Sequence, residues 1–343
     1  MKTMLVLSMG ALLLAGTLSA QTPVPEWQAG VDKVKNLIQS NPAQASEEAG
    51  ELLKGKNKKN VDLVTSVAHV YLDAGKITEA QEYLAMAKKA NNKDPKVSVL
   101  EGDIALAQKN IGQACQLYEQ AIYFDPNCKE AYLKYAQAYK SASPTQAIEK
   151  LEQLKAVDPN CLEADRELAE VYYSGNRFGK AAEMYAKFID TPLATEDDML
   201  KYAFALFLNH DFEKSLQVAQ KGLQKNARHA AFNRLVMYNN TDLKRYEDAE
   251  KAADAFFNAS DRADYSYLDY RYYGALLSAL KKYDKAIIEY GKALDKDDTQ
   301  VDLWREISDA HEMNNNYAEA IAAYRKYYDA LAKEKKTPET LFQ

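Results

Sequence analysis

Apolar residues recur along this chain at intervals of three and four residues, in short runs separated by polar turns. Residues 95–128 contain two such runs, whose members are Val99, Gly102 and Leu106, then Cys115, Tyr118, Ala121 and Ile122. This spacing places the apolar side chains on one face of a helix, so the segment predicts two α-helices. Residues 109–112 predict the turn between them. Pro126 ends the second helix, because proline cannot continue one.

The two helices recur with a period of about 34 residues, which small residues mark along most of the chain. In the second helix of each pair these residues are Ser46, Ala80, Ala114, Ala147, Ala181, Ser215, Ala249, Ala286 and Ala320. In the first helix they are Ala68, Gly102, Ala136, Ala169, Ala203, Gly274 and Ser308. Small side chains allow helices to pack closely, so the period predicts stacked antiparallel helix pairs.

The repeated unit resembles the tetratricopeptide repeat, in which large, small and aromatic residues alternate in a fixed order. The residues that carry the likeness most clearly are Trp304, Ile307, Ser308, Tyr317, Ala320 and Tyr324. The resemblance implies an all-α fold, a right-handed superhelical solenoid of antiparallel helix pairs. It covers residues 61–332, which would form eight repeats, preceded by a weaker helical pair in residues 21–60 and followed by a tail at 333–343.

The first twenty residues have the layout of a secretory signal peptide. Lys2 precedes an apolar run from Met4 to Leu18, and small residues follow at Ser19 and Ala20. The run is too short for a comfortable membrane span, so we expect cleavage near Ala20 and an exported, periplasmic or secreted chain without a membrane span. The formal net charge of −6 argues against a nucleic-acid partner, which requires a clustered basic face.

Motifs for catalysis, metal binding and cofactor binding are missing from the sequence. His311 and Glu312 begin like a zinc-protease helix, but Asn315 stands where the second histidine is needed. Nucleophile elbows and phosphate-binding loops are absent as well. We therefore predict a non-enzymatic protein without metal or cofactor. Cys128 and Cys161 close adjacent repeats, and we expect no disulfide between them, since helix packing holds equivalent points about 8–10 Å apart.

A concave groove lined by the first helices is what the resemblance implies, and such grooves hold peptides or partner helices. The first-helix positions that packing does not use are Arg166, Glu170, Tyr173, Phe204, Phe207, Asn233, Asn240, Arg271, Arg305, Asp309 and Glu312. This mixture of aromatic, arginine and amide side chains is typical of binding surfaces. Phe204 and Phe207 could be groove residues or could pack against a neighbouring repeat.

The function that follows is a protein- or peptide-binding scaffold of the bacterial cell envelope. One alternative is a glycan-capture protein that uses exposed tyrosines, which are dense in residues 264–274. An enzyme with a site in the groove is a further alternative. The sequence names neither the partner nor the oligomeric state.

One repeat departs from the pattern, and we expect the array to be least stable there, at residues 230–264. Met237 stands where other first helices carry a small residue, and Asn239 and Asn240 replace helix-favouring residues. The step from Ala249 to Ala286 is also 37 residues long, not 34. A poor interface there would divide the array into blocks at 26–229 and 265–343.

Overall fold

The computed structural model describes residues 24–259 and 264–334, apart from the side chains of 259 and 332–334. The predicted signal peptide and residues 335–343 of the predicted tail lie outside these ranges. Within them the chain is helical and contains no strand. The backbone contacts divide the chain into two compact units, residues 1–124 and 125–343.

Unit 1 contains three helix pairs. The six helices are α1 (Gln28–Leu37), α2 (Pro42–Leu52), α3 (Val61–Asp73), α4 (Ile77–Asn91), α5 (Pro95–Ala107) and α6 (Ile111–Phe124). A short 3₁₀ helix, Gly55–Lys59, joins the first pair to the second. Each helix packs against the other member of its pair, and α3 and α4 also pack against α5. One core of aliphatic and aromatic side chains extends from Val31 to Ile104.

Unit 2 contains six helix pairs in the described residues. The first three pairs are α7 (Lys129–Tyr139) with α8 (Pro144–Val157), α9 (Leu162–Ser174) with α10 (Phe178–Phe188), and α11 (Glu196–Leu208) with α12 (Phe212–Lys225). The others are α13 (Ala230–Asp242) with α14 (Tyr246–Asp254), α15 (Tyr267–Ala279) with α16 (Tyr283–Lys296), and α17 (Asp302–Met313) with α18 (Tyr317–Glu334). Each second helix also packs against the first helix of the next pair.

Seven of the turns inside the helix pairs share one conformation. The residue two positions before the second helix has a positive φ, and these residues are Gly75, Lys109, Asn176, His210, Lys244, Lys281 and Asn315. The next N–H donates to a carbonyl five residues back, as from Lys282 to Leu277 at 2.8 Å. This is the Schellman arrangement, which satisfies carbonyl groups at the end of the first helix.

Residue size is complementary where the helices of a pair cross. Gly102 faces the ring of Tyr118, and Gly274 faces that of Tyr290, so closely that an added Cβ would lie 2.5 and 2.6 Å from ring atoms. In the repeat that departs from the pattern, the large residue is on the first helix and the small residue is on the second. Met237 is fully buried, and Ala253 takes the register position of Tyr118 and Tyr290. A large side chain on the first helix is thus offset by a small one on the second.

Met237, which the sequence pattern marked as a poor fit at this crossing, is fully buried there. The Asn239 side chain donates to Ser215 Oγ at 2.8 Å and to the Leu235 carbonyl, while its Oδ1 is buried without a hydrogen-bond partner in the described part of the chain. The three additional residues before Ala286 coincide with a π-helical turn, Ala255–Ala259, that extends α14. Residues 260–263 of the predicted joint lie outside the described residues.

Candidate functional site

The first helices of unit 2 are joined to one another by polar contacts between side chains 30–35 residues apart. Arg166 on α9 contacts Asp198 on α11 at 3.0 Å, and Lys201 on α11 contacts Glu170 on α9 at 2.8 Å. Arg234 on α13 contacts Asp269 on α15 at 2.7 Å. These side chains therefore share one side of the unit, which we call the first-helix face.

Two of these contacts end at capping boxes. Asp198 accepts hydrogen bonds from Thr195 at the start of α11, and Asp269 accepts them from Ser266 at the start of α15. Both carboxylates are buried, at 1% and 0% exposure. A buried carboxylate is costly unless it is paired, and Arg166 and Arg234 supply the paired cation. Arg166, a predicted groove residue, thus connects two repeats.

Glu170 is similarly engaged within the protein. Its Oε1 accepts a hydrogen bond from the Tyr185 hydroxyl at 2.7 Å, and both its oxygens lie near Lys201 Nζ. Burial and the bond to Glu170 raise the pKa of the Tyr185 hydroxyl well above its usual value. The carboxylate of Glu170 therefore holds three helices, α9, α10 and α11, in register.

Phe207 lies in an aromatic cluster formed with Phe212, Tyr238 and Tyr272, with ring centroids 5.6–6.2 Å from its own. The rings of Tyr238 and Tyr272 are stacked at 4.0 Å. Phe207 is only 9% exposed, so the expectation that it is an open groove residue is wrong. Packing against the next repeat, the alternative left open by the sequence, is the arrangement observed.

Apolar surface remains on α11 at Phe204, which is half-buried, and at Leu208, which is 44% exposed. The two residues are one turn apart and share one side of the helix. Tyr173, half-buried on α9, lies one turn beyond Glu170, and burial raises the pKa of its hydroxyl. Tyr173 and Phe204 are the predicted groove residues that offer apolar contact area, and Leu208, which the sequence did not single out, adds to it.

Asn233 and Asn240 do not present their amides on an open groove, since both are buried. The Asn233 side chain donates to the Ala227 carbonyl at 3.0 Å, and the Asn240 side chain donates to the Val236 carbonyl at 3.0 Å. Both line a surface cavity of about 490 Å³ together with residues of the second helices α12 and α14. The structure thus separates them from Phe204 and Tyr173.

The remaining predicted residues lie on α15 and α17. Arg271 donates two hydrogen bonds to Glu306 Oε1 on α17, at 2.9 and 2.6 Å, and so links two first helices. Arg305 is exposed and its guanidinium lies over the Tyr327 ring at 5.9 Å. Asp309 and Glu312 are exposed and line a second cavity, with residues of α18.

The tyrosines of residues 264–274 are half-buried, not an exposed platform. Tyr265, Tyr270 and Tyr273 pack their rings on Phe257, at centroid distances of 5.0–5.7 Å. Tyr272 belongs to the cluster with Phe207. The high density of tyrosines that suggested a glycan-binding surface is therefore explained by packing.

Sequence reasoning missed one polar cluster, on the first helices of unit 1. His69 Nε2 lies 2.8 Å from Asp103 Oδ2, and Tyr118 donates to Asp103 Oδ1 at 2.7 Å. The other ring nitrogen of His69 is 2.9 Å from the Thr65 carbonyl. The signal was the 34-residue interval between His69 and Asp103, which places them at one register position on adjacent first helices.

Neither a metal centre nor a membrane helix is present in the described part of the chain. No group of three or more His, Cys, Asp or Glu side chains there could hold a metal ion. No helix there is long and apolar enough to cross a bilayer. Cys128 and Cys161 are not joined by a disulfide.

Antiparallel helix pairs that recur every 34 residues define a helical-repeat protein. The chain belongs to the tetratricopeptide repeat family, whose model matches residues 68–128, 136–193 and 274–334, about half of the chain in total. The prediction of an all-α fold of tetratricopeptide type is thereby confirmed. No curated protein matches the chain significantly in sequence.

Three of the solved structures to which the chain is similar follow. A tetratricopeptide repeat protein from Parabacteroides merdae is 14% identical, with 73% of this chain and 98% of that chain covered and a TM-score of 0.44. The protein pilF of Pseudomonas aeruginosa is 15% identical over 60% of this chain and 96% of its own, with a TM-score of 0.48. MamA from Desulfovibrio magneticus is 18% identical over 48% and 93%, with a TM-score of 0.41.

Proposed function

We propose that this chain is a non-enzymatic scaffold of the bacterial cell envelope that holds a protein or peptide on the first-helix face of unit 2. Tetratricopeptide domains bind proteins or peptides in general, which supports an interaction scaffold as the coarse function. The envelope is proposed from the secretory layout of residues 1–20.

The observation that carries the proposal is the contrast between polar and apolar side chains on this face. Arg166, Glu170 and Lys201 are already engaged by other residues of the protein. Phe204 and Leu208 keep accessible apolar area beside them. Aromatic and aliphatic anchors contribute most of the energy in protein interfaces, while surrounding polar contacts exclude water.

The partner that fits this surface is a segment with at least one large apolar side chain. That side chain would rest on Phe204 and Leu208, with the ring of Tyr173 at the edge of the contact. Arg166, Glu170 and Lys201 are already held by contacts within the protein, which lowers the entropy that binding would otherwise cost. We therefore place the centre of the interface on α11.

The test is affinity capture from an envelope extract with the double variant Phe204→Ser, Leu208→Ser. The control is Ile288→Ser, because Ile288 is 57% exposed but lies on a second helix, α16. We expect the double variant to lose a partner that both the unaltered chain and the control retain. Equal capture by all three proteins would refute the placement of the site. A thermal melt of each variant checks that the fold is intact.

Export is tested separately by the intact mass of the protein from the periplasm or medium. We expect a chain that begins at Gln21. A product that keeps Met1 would refute the proposed location without affecting the binding surface. Binding of an array glycan at Phe204 and Leu208, or turnover in a hydrolase panel, would replace the scaffold function by one of its alternatives.

A further inference from the structure

The last described helix carries an exposed apolar stripe. Tyr317, Ile321, Tyr324 and Tyr328 on α18 are 60%, 56%, 52% and 65% exposed. Their spacing of four, three and four residues places all four on one side of the helix. Apolar patches of this extent on a protein surface usually mark an interaction site.

The preceding second helix shows what normally covers this stripe. The residues of α16 at the same register, 34 positions earlier, are Tyr283, Ile287, Tyr290 and Leu294. Tyr290 is buried at 4% exposure, and Ile287 and Leu294 are partly buried in a core that includes Leu303 and Ile307 of α17. The stripe on α18 is thus one half of an inter-repeat interface. No described helix supplies the other half.

A groove of about 530 Å³ lies where the missing helix would pack. It is formed by α17 and α18, and its lining includes Asp309, Glu312, Tyr317, Ile321, Tyr324 and Arg325. Its lining combines apolar side chains of the stripe with the charged side chains of Asp309, Glu312 and Arg325. Its shape and position suit a helix that runs antiparallel to α18, as α17 does to α16.

We propose that the occupant is α18 of a second copy of this chain, in a two-fold symmetric dimer. The spacing of the stripe is symmetric along the helix, since the intervals are four, three and four residues from either end. An antiparallel α18 therefore places Tyr317 against the second copy's Tyr328 and Ile321 against its Tyr324. Such self-complementarity is what an isologous two-fold interface requires, and it is not needed for an unrelated partner.

The area of the stripe favours the same arrangement. The four exposed side chains offer on the order of 500 Å² per copy, at about 150–250 Å² for a whole aromatic residue. Two copies then bury about 1,000 Å², the lower bound for a specific interface.

Residues 335–343 are the competing occupant within the chain. Their apolar residues, Leu341 and Phe342, are adjacent in sequence. A helix directs adjacent side chains about 100° apart, so this segment does not reproduce the four-three-four pattern. A helix of another protein is the remaining alternative, and the experiment separates all three.

The mass of the purified full chain in solution, measured over a range of concentrations, tests the proposal. We expect a dimer for the unaltered chain and a dissociation constant raised about 100-fold or more for Ile321→Glu, since a charge would enter an apolar interface. Ile288→Glu is the matched control, because Ile288 is 57% exposed and Ile321 is 56% exposed on equivalent second helices. The control should remain dimeric.

Several outcomes would overturn the proposal. One is a monomer at all concentrations up to about 100 µM, a limit typical of weak interfaces. A monomer that dimerises after deletion of residues 335–343 would identify that segment as the occupant. Equal dissociation of the two glutamate variants would place the interface elsewhere. Tyr328→Glu provides a second variant at the end of the stripe, where the side chain is 65% exposed, and it should weaken the dimer in the same way.

Discussion

Single pairs of residues set how closely the helices approach in both units. Gly222 on α12 faces the fully buried ring of Phe232 on α13, and a Cβ added to Gly222 would lie 2.5 Å from Phe232 Cζ. The same relation holds between Gly102 and Tyr118. Glycine is required at these positions because a neighbouring ring occupies the space that a Cβ would need. The backbone conformation does not require it.

Replacing Gly222 with alanine should therefore destabilise unit 2. We expect a loss of about 1–3 kcal/mol in the free energy of unfolding, the usual cost of overpacking a filled core. Gly291→Ala is the control, because no atom lies within 4 Å of the Cβ that it would gain. That change should stabilise α16 by up to about 1 kcal/mol through helix propensity. Denaturant unfolding measures both, and a stable Gly222→Ala variant would contradict the packing explanation.

The buried tyrosines predict a loss of stability in alkaline solution. Burial raises the pKa of Tyr290 to about 12, whereas a tyrosine in the unfolded chain ionises near 10. Above pH 10 the unfolded state releases this proton first, so the stabilising contribution is complete below pH 10 and is lost as the pH rises through 12. We expect a loss of up to about 3 kcal/mol for this group, at about 1.4 kcal/mol for each pKa unit.

Tyr290→Phe isolates that contribution, since phenylalanine has no hydroxyl to ionise. Its stability should fall less steeply with pH, between 10 and 12, than that of the unaltered chain. Parallel curves for the two proteins in denaturant unfolding would show that Tyr290 does not contribute to the pH dependence.

At the scale of the element, the turns inside the helix pairs carry backbone strain. Six of the seven left-handed turn residues are not glycine, for example Lys109 and Lys281. A non-glycine residue in this conformation costs about 1–2 kcal/mol, and glycine avoids that cost. The repeated turn is set by its hydrogen bonds, which is why lysine, asparagine and histidine all occur there.

Lys281→Gly should accordingly stabilise the α15–α16 pair. We expect a gain of about 0.5–1 kcal/mol, because glycine loses part of the benefit through its greater freedom in the unfolded chain. Lys285→Gly, in the first turn of α16, should instead cost up to about 1 kcal/mol. A thermal melt distinguishes the two, and destabilisation by both changes would contradict the account of strain.

The capping boxes of α11 and α15 also act at the scale of the element. The aspartate of each box caps the start of its helix and forms an ion pair with an arginine of the preceding repeat. Asp269 accepts hydrogen bonds from Ser266, Arg234 and the Tyr238 hydroxyl. Removing its carboxylate would leave a partly buried arginine and a buried hydroxyl without their partner.

Asp269→Ala is therefore expected to cost about 3–5 kcal/mol, the range for breaking a buried ion pair from one side. The ion pair of Asp248 with Lys251 provides the comparison, because both of its side chains are exposed. Asp248→Ala should change the free energy of unfolding by no more than about 1 kcal/mol. Similar losses for the two changes would show that the buried network contributes little.

At the scale of the whole molecule, stability in a repeat protein is close to a sum over repeats and their nearest-neighbour interfaces. Local damage should therefore remain local. Hydrogen exchange of the Gly222→Ala variant should accelerate in α12 and α13, while amides of α3 to α5 in unit 1 keep their rates. A uniform acceleration across both units would contradict this independence.

The same measurement on the unaltered chain tests α13. Met237 and Asn239 are fully buried, so its central amides should exchange as slowly as those of α9. Early exchange in residues 232–240 would support the weak joint that the sequence pattern suggested. It would show that the exchange of sizes between Met237 and Ala253 does not make this repeat as stable as the others.

Local patterns were sufficient to predict the helices, their pairing and the repeat family. Helical periodicity, small residues at crossings and closing prolines are properties of single repeats, and they recur in register. The sequence was sufficient to predict that Gly102 and Tyr118 are packing residues, because the two residues contact each other within one helix pair.

Tertiary structure alone decided which predicted site residues are accessible. Arg166 reaches Asp198 across 32 residues, and Phe207 is covered by Tyr238 and Tyr272, which are 31 and 65 residues away. Met237 is accommodated because Ala253 is small. A first-helix side chain is accessible to a partner only where the neighbouring repeat does not cover it. The periodic pattern predicts where a side chain lies on its helix, but it does not predict which side chains of the neighbouring repeat surround it.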